Sequence, residues 1–300
     1  MKVFISAQDV DDQRIVRRSY KIKYRIVVDS CGELPEELKK DERFVSAPLT
    51  LNVGGEEIVD DETFDQAAFL RKVAECPECP KSACPSPESY REAFDCDAEH
   101  VYGVTLSAEL SGSYNSAVLG LNMYLEEHPE KKGYIFNSRS ASIGETLIAL
   151  KVQELEENGV EFEQLVKEVE QYIDEQNTFF VLDNLETLRK NGRLSKTKAI
   201  VASALKIKPI MGATKDGNIC QLDNARGINK ALVKLVNAIV ETTKNSENRI
   251  LAISHCNCKE RAEIVRDALL ERMKVKSVLF MDTAGVSSMY ANEGGVIVVI

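Results

Sequence analysis

Three short apolar runs, each closing on a serine, set the strongest limit on what this chain can fold into. They are YRIVVDS (24–30), VYGVTLS (101–107) and GYIFNS (133–138). Each is too short for a helix and is bounded by turn residues, as buried strands are. The second leads into a helical pattern carrying Ala117, Val118, Leu121 and Tyr124. The third leads into SIGETLIALKVQELEENG, a long helix closed by Gly159. Strands that alternate with helices imply a parallel sheet, and ligands of such sheets bind at the carboxyl ends of the strands. Ser30, Ser107 and Ser138 stand at those ends.

The remaining elements follow the same reading. VSAPLTLNVGGEEIVD is extended chain with a hairpin turn at Gly54-Gly55. TFDQAAFLRKVAE is a helix with Thr63 as its N-cap, and SPESYREAF is another with Ser86 as cap and Pro87 at the first helical position. Beyond residue 160 an amphipathic helix (FEQLVKEVEQYIDEQ) precedes TFFVLDNLETLRKNGRLS, a strand running into a helix that stops near Gly192. IKPIMGATKDGNICQLDNAR reads as two strands joined at Asp216-Gly217, INKALVKLVNAIVETT as a helix, and RILAISH and GGVIVVI as strands. The expected fold class is α/β in two domains: a parallel-sheet N-terminal domain over 24–160 and an α+β C-terminal domain over 161–300. Residues 1–23 form an extension whose basic run, RIVRRSYKIKYR, is either a strand or a disordered arm.

Charge and composition exclude several function classes. The net charge of −10 argues against nucleic acid, since phosphates would be repelled. No apolar run approaches the roughly 20 residues that span a bilayer. The N-terminus places Asp and Arg where a signal peptide needs apolar residues, so the chain is read as cytoplasmic and its eight cysteines as reduced thiols. Cys76-Pro-Glu-Cys79, with Cys84 and Cys96, is a weak zinc pattern, to which His255, Cys256 and Cys258 contribute only if the fold brings them near. Free thiols are the favoured reading. No P-loop or dinucleotide fingerprint is present.

The loop LSAELSGSYNSA carries the chemistry. A helix start offers unpaired N–H groups that favour anions, Ser111 and Ser113 add hydroxyls, and Gly112 permits close backbone approach. Taken alone, this stretch favours an ordinary serine cap, which needs no ligand. A nucleophilic serine needs a base, and the three histidines (His100, His128 and His255) leave a serine hydrolase of acyl esters as the alternative, without a G-x-S-x-G elbow to support it. LRKNGRLSKTKAIVASALKIKP holds seven basic residues and no acidic one: a solvated helix face, a dock for an acidic partner, or the source of Arg193 for an anionic ligand.

Taken together and in order, VVDSCGELP, SACPSP, LSGSYNSA, FFVLDNLETLRKNGRLS, LKIKPIM with its following DG, and NAR resemble the DegV family of bacterial fatty-acid-binding proteins, from about Tyr24 to Ile300. The resemblance implies two α/β domains with a fatty acid such as palmitate or oleate between them, and a carrier that performs no catalysis of its own. It implies as partner a separate fatty acid kinase subunit that makes the acyl phosphate, with transient membrane contact left open, and no metal or other cofactor. It places the carboxylate at Ser82, Ser111, Gly112 and Ser113, and the head-group and partner surface at Arg193, Arg226 and Tyr290. Ala83 and Cys84 depart from the family motif, and Tyr290 stands where the family has His. A tyrosine donates one hydrogen bond and stays uncharged at neutral pH. A buried tail gains about 0.8 kcal/mol per methylene, and a buried carboxylate costs several kcal/mol unless paired.

Overall fold

The structure, a computed structural model, describes residues 22–194 and 207–300. The N-terminal arm to residue 21, and Lys196, Lys198 and Lys206 of the basic run, lie outside the described residues. Along the chain come β1 (Tyr24–Asp29), α1 (Glu36–Lys39), β2 (Phe44–Ala47), β3 (Thr50–Val53), β4 (Glu56–Val59), α2 (Gln66–Glu75), β5 (Lys81–Ala83) and α3 (Pro87–Phe94). Next are β6 (His100–Thr105), α4 (Ser113–Glu127), β7 (Lys132–Asn137), α5 (Ile143–Glu157), α6 (Phe162–Glu175), β8 (Thr178–Val181) and α7 (Glu186–Lys190). The last are β9 (Ile207–Ala213), β10 (Ile219–Arg226), α8 (Ile228–Thr242), β11 (Ile250–His255), α9 (Lys259–Leu270), β12 (Ser277–Asp282), α10 (Gly285–Ala291) and β13 (Val296–Val299).

The three serine-terminated runs are the heart of the first sheet, β2-β1-β6-β7, in which every pairing is parallel. A second, six-stranded sheet runs β10-β9-β8-β13-β11-β12. It is mixed: β11 and β12 pair in parallel and the rest antiparallel. A small antiparallel sheet, β4-β3-β5, carries Ser82 opposite Leu51. The two hairpins fall where the glycines require them. Gly54 and Gly55 turn β3 into β4 with φ of 60° and 87°, and Gly217 turns β9 into β10 with φ of 83°.

Helix α5 joins the two sheets. Ile148, Ala149, Val152 and Leu155 pack into the core of the first sheet, while Ile143 and Leu147 pack with Ala252 and Val299 of the second. Its first half, Ile143–Ala149, is buried on every side between the sheets, while its second half buries only Val152 and Leu155 and turns a polar face outward. By packing, the first body extends to Glu175 rather than ending at residue 160. The amphipathic helix α6 buries Leu165, Val169 and Ile173 in the core of the first sheet, and the chain crosses to the second sheet only at β8. A second correction concerns α2, whose cap is Asp65, accepting from the Ala68 N–H at 2.9 Å, and not Thr63. Thr63 is held by Asp61 in the preceding turn. The predicted Ser86 cap of α3, with Pro87 at its first turn, is present. Among the described residues, no helix is long and apolar enough to cross a membrane.

Candidate functional site

A cavity with an empty volume of about 850 Å³ lies between the two sheets, at the carboxyl ends of β1, β6 and β7. Cys31, Leu49, Leu106, Leu110 and Ala141 wall it from the first body; Phe180, Leu182, Leu188, Ile219 and Ile297 wall it from the second. This apolar lining suits the apolar part of a small organic ligand.

Of the polar residues that line this cavity, among them Arg139, Ser140, Ser142, Thr178 and Ser287, four others come together from separate elements. Ser82 comes from β5, Ser111 from the loop before α4, Arg193 from the turn after α7, and Tyr290 from α10. Contacts link them in series. The Ser82 and Tyr290 hydroxyls are 3.1 Å apart. The Arg193 guanidinium lies 5.6 Å from the centre of the Tyr290 ring. Arg193 Nε donates to the carbonyl of Leu110 at 3.1 Å, one residue before Ser111, and its Nη1 donates to the Asn191 carbonyl at 2.5 Å. Burial pushes the Tyr290 phenol up from its ordinary pKa, opposed by the Ser82 hydrogen bond and by the Arg193 charge. The phenol therefore stays neutral and available as a donor.

The loop before α4 is both a cap and a wall. Ser111 Oγ accepts the Ser113 N–H at 3.2 Å, so the serine caps the helix start from inside the cavity. Three expected residues sit elsewhere. Gly112 has an ordinary helical φ of −74° and does not line the cavity. Its missing side chain makes room for the Cys84 sulfur, which a Cβ would meet at 3.2 Å. Ser113 is fully buried behind the wall, beside Asp29 and Tyr90. Arg226 is exposed at the end of β10, away from the cavity, where only contact with a partner remains open to it.

The strand-end serines are structural ties. Ser30 Oγ donates to Asp60 at 2.9 Å and accepts from Leu49 N–H; Ser107 Oγ donates to the Gly217 carbonyl at 2.8 Å; Ser138 Oγ donates to the Ser140 carbonyl at 3.1 Å. Among the described residues, no serine hydroxyl is hydrogen-bonded to a histidine ring. His255 is buried with Nδ1 facing Asp282 at 3.1 Å, and Ser107 is committed to a carbonyl. Cys76, Cys79, Cys84 and Cys96 are free thiols whose sulfurs form no group of three at metal-ligand spacing; among the described residues that spacing is met by Asp29, Cys31 and Glu145. Sequence reasoning missed the wall segment Ala141-Ser142 and Val286-Ser287. The serine-rich stretch SRSAS after β7 was the available signal for the first; nothing in the sequence marks the second.

Buried carboxyls surround the cavity's back wall. Burial pushes Glu33 up to about 7, although the Ser142 hydroxyl and the Ala284 N–H donate to it. Burial likewise raises Asp60 to about 6 against the N–H groups of Val286 and Gly285, and Asp29 to about 6 against Leu106 N–H. A carboxyl raised in the folded state holds its proton more tightly folded than unfolded. Its stabilising contribution is complete below the unfolded value near 4 and is lost as pH rises through 6 to 7. The paired carboxylates Asp41 and Asp183, held below their usual range, act in the opposite sense. Glu33→Gln should therefore flatten the fall in melting temperature between about pH 5 and 7.5 relative to the unmodified protein, by an amount on the order of 2 kcal/mol. Parallel pH–melting curves for the two proteins would show that Glu33 is not protonated in the fold.

A family model described as "Uncharacterised protein, DegV family" matches residues 23–300. The chain belongs to the DegV family. A DegV domain-containing protein of Streptococcus pneumoniae is 34% identical over 257 residues, covering 85% of this chain and 89% of its own. A DegV family crystal structure from Ruminococcus gnavus, described with vaccenic acid, is 54% identical with a TM-score of 0.90, covering 93% of this chain and 100% of its own. The Fatty Acid Kinase (Fak) B3 protein of Streptococcus pneumoniae, loaded with linoleic acid, is 30% identical with a TM-score of 0.83, covering 93% of this chain and 99% of its own. The mixed α/β architecture of DegV proteins is thus the architecture seen here. Contact with a membrane draws no support from these relatives.

Proposed function

We propose that this DegV protein binds a long-chain fatty acid in the cavity between its two sheets and presents the carboxylate to a separate fatty acid kinase subunit, performing no catalysis itself. The observation that carries this reading is the joining of an apolar cavity to a single hydroxyl–guanidinium–phenol cluster, in a fold whose neighbours from Ruminococcus gnavus and Streptococcus pneumoniae are described with fatty acids. The tail contributes about 0.8 kcal/mol per buried methylene, so a dozen or more offset the several kcal/mol of removing a carboxylate from water. Ser82 and Ser111 are the hydroxyl donors to the carboxylate. Arg193 supplies the countercharge, and Tyr290 orients Ser82. Arg226 belongs to the surface that meets the kinase, and the protein works in the cytoplasm.

Native mass spectrometry of protein purified from a bacterial host tests the reading. The expected spectrum shows a mass increment of one fatty acid, released on denaturation. A bare mass that persists after incubation with palmitate and oleate would overturn it. Added ATP and a fatty acid kinase subunit should convert the bound acid to its acyl phosphate, and this protein alone should not.

A further inference from the structure

Directly behind the Ser111 wall, Asp29, Cys31 and Glu145 place their oxygen and sulfur atoms within 4.8 Å of one another. Asp29 and Glu145 are wholly inaccessible to solvent and Cys31 nearly so. Among the described residues, no lysine, arginine or histidine pairs with either carboxyl. The donors are unequally shared. Asp29 accepts the Cys31 N–H at 3.1 Å and the Leu106 N–H at 3.0 Å, one on each oxygen, and the buried Ser113 hydroxyl lies beside it. Among the described residues, neither oxygen of Glu145 meets an amide or hydroxyl donor, and the thiol of Cys31 is the donor that faces it. Two facing carboxylates without a cation cannot both be ionised. The charge belongs on Asp29, where the amides are, and the proton on Glu145, which then donates to Asp29. The other titratable groups facing the pair are the thiol of Cys31, the carboxyl of Glu33 and the phenol of Tyr90.

Ser113 connects this pair to the cavity. Its Oγ is 3.1 Å from Ser111 Oγ, and it has one hydrogen to give. With Asp29 ionised, Ser113 gives that hydrogen to Asp29, and Ser111 turns its own toward Ser113. With Asp29 protonated, the hydrogens run outward, from Asp29 to Ser113 to Ser111, leaving the Ser111 hydrogen aimed at the ligand. We propose that Ser113, Asp29 and Glu145 are positioning residues that set the direction of the Ser111 hydroxyl, so that binding an acyl carboxylate at Ser111 draws a proton onto Asp29. The inference rests on the fatty-acid reading of the cavity and adds to it a relay buried behind the wall.

Two measurements test it. Infrared spectra of the delipidated protein near neutral pH should contain a protonated-carboxyl carbonyl band that Glu145→Gln removes while leaving the melting temperature unchanged, because glutamine still donates to Asp29. Displacement of a fluorescent fatty acid by oleate should show the affinity of the unmodified protein falling about three- to tenfold from about pH 5.5 to 7.5, as expected for one linked proton. Ser113→Ala keeps the N–H that holds Ser111 and should lose that slope. The ionisation of oleate itself is common to both proteins and cancels in the comparison. An unchanged slope in Ser113→Ala, absence of the Glu145 band, or one equivalent of bound metal lost in Glu145→Gln would each overturn the relay. A protein that takes up no fatty acid at all sinks the site reading and the linkage with it, while the infrared band still decides where the proton resides.

Discussion

Replacing Ser82 and Ser111 together with alanine should weaken retention of a long-chain fatty acid by about a hundredfold or more while leaving the fold intact. Hydrogen bonds to a charged group contribute about 1.5–3 kcal/mol each, and two lost together amount to about 3–6 kcal/mol. Each tenfold in affinity is about 1.4 kcal/mol, so a hundredfold is the lower end of that range. The fold should tolerate the change. Ser82 sits on a three-residue strand and, among the described residues, its hydroxyl is hydrogen-bonded to Tyr290 alone, and Ser111 contributes one capping acceptor to α4, whose loss costs about 1 kcal/mol. Equilibrium displacement by oleate gives the affinity, and circular dichroism melting gives the stability. A loss of less than fivefold in the double variant would reduce both serines to loop and cap residues, and would return the carboxylate to Arg193 alone.

The second large effect is expected at Gly217→Val. Gly217 caps the β9–β10 hairpin, lines the cavity and accepts the Ser107 hydroxyl from the first body. Its φ of 83° disfavours any branched side chain. A Cβ there would also overlap Ser107 Oγ and stand 2.8 Å from the backbone Cα of Arg139, so the hairpin must lift off. Lifting breaks the Ser107–Gly217 hydrogen bond and opens the cavity wall. The expected cost is about 3–5 kcal/mol, a drop of roughly 10 °C in melting temperature, with loss of the bound fatty acid. Gly55→Val is the matched control. Gly55 has a similar φ of 87° but nothing within 4 Å of its Cβ, so only the backbone strain remains. Equal destabilisation by the two substitutions would show that hairpin docking contributes nothing.

The site was partly legible in the sequence, and the reason differs residue by residue. Ser111 stood out because a strand end, a glycine and a helix start coincide there, and local order of that kind survives into the fold. Arg193 stood in a basic run that offered it for an anionic ligand as one of three readings; Ser82 and Tyr290 carry no local signal strong enough to select them, and only the resemblance to DegV proteins singled them out; the structure lines one cavity with all three. Gly112 and Ser113 share the motif of Ser111 yet turn away from the cavity. Helical geometry rotates successive side chains by about 100°, so adjacent residues at a helix start cannot all face one ligand. Arg226 fell out of the cavity because it ends an outer strand of the second sheet.

What the sequence determined by itself was local: the parallel strands of the first sheet, the two glycine hairpins, the serine cap of α3, and the helices with one apolar stripe. Each follows from short-range sterics and periodicity that act within a dozen residues. What only tertiary structure decided was the company those elements keep. The assignment of α6 to the first body, the wedging of α5 between two sheets, and the gathering of Asp29, Cys31 and Glu145 behind Ser111 depend on packing between residues as far apart as 156 positions, Ile143 and Val299. Such contacts form because burying apolar faces from both sheets stabilises one arrangement of the whole chain. The same arrangement carries three acidic or thiol side chains into the interior, where their protonation answers to burial rather than to sequence neighbours.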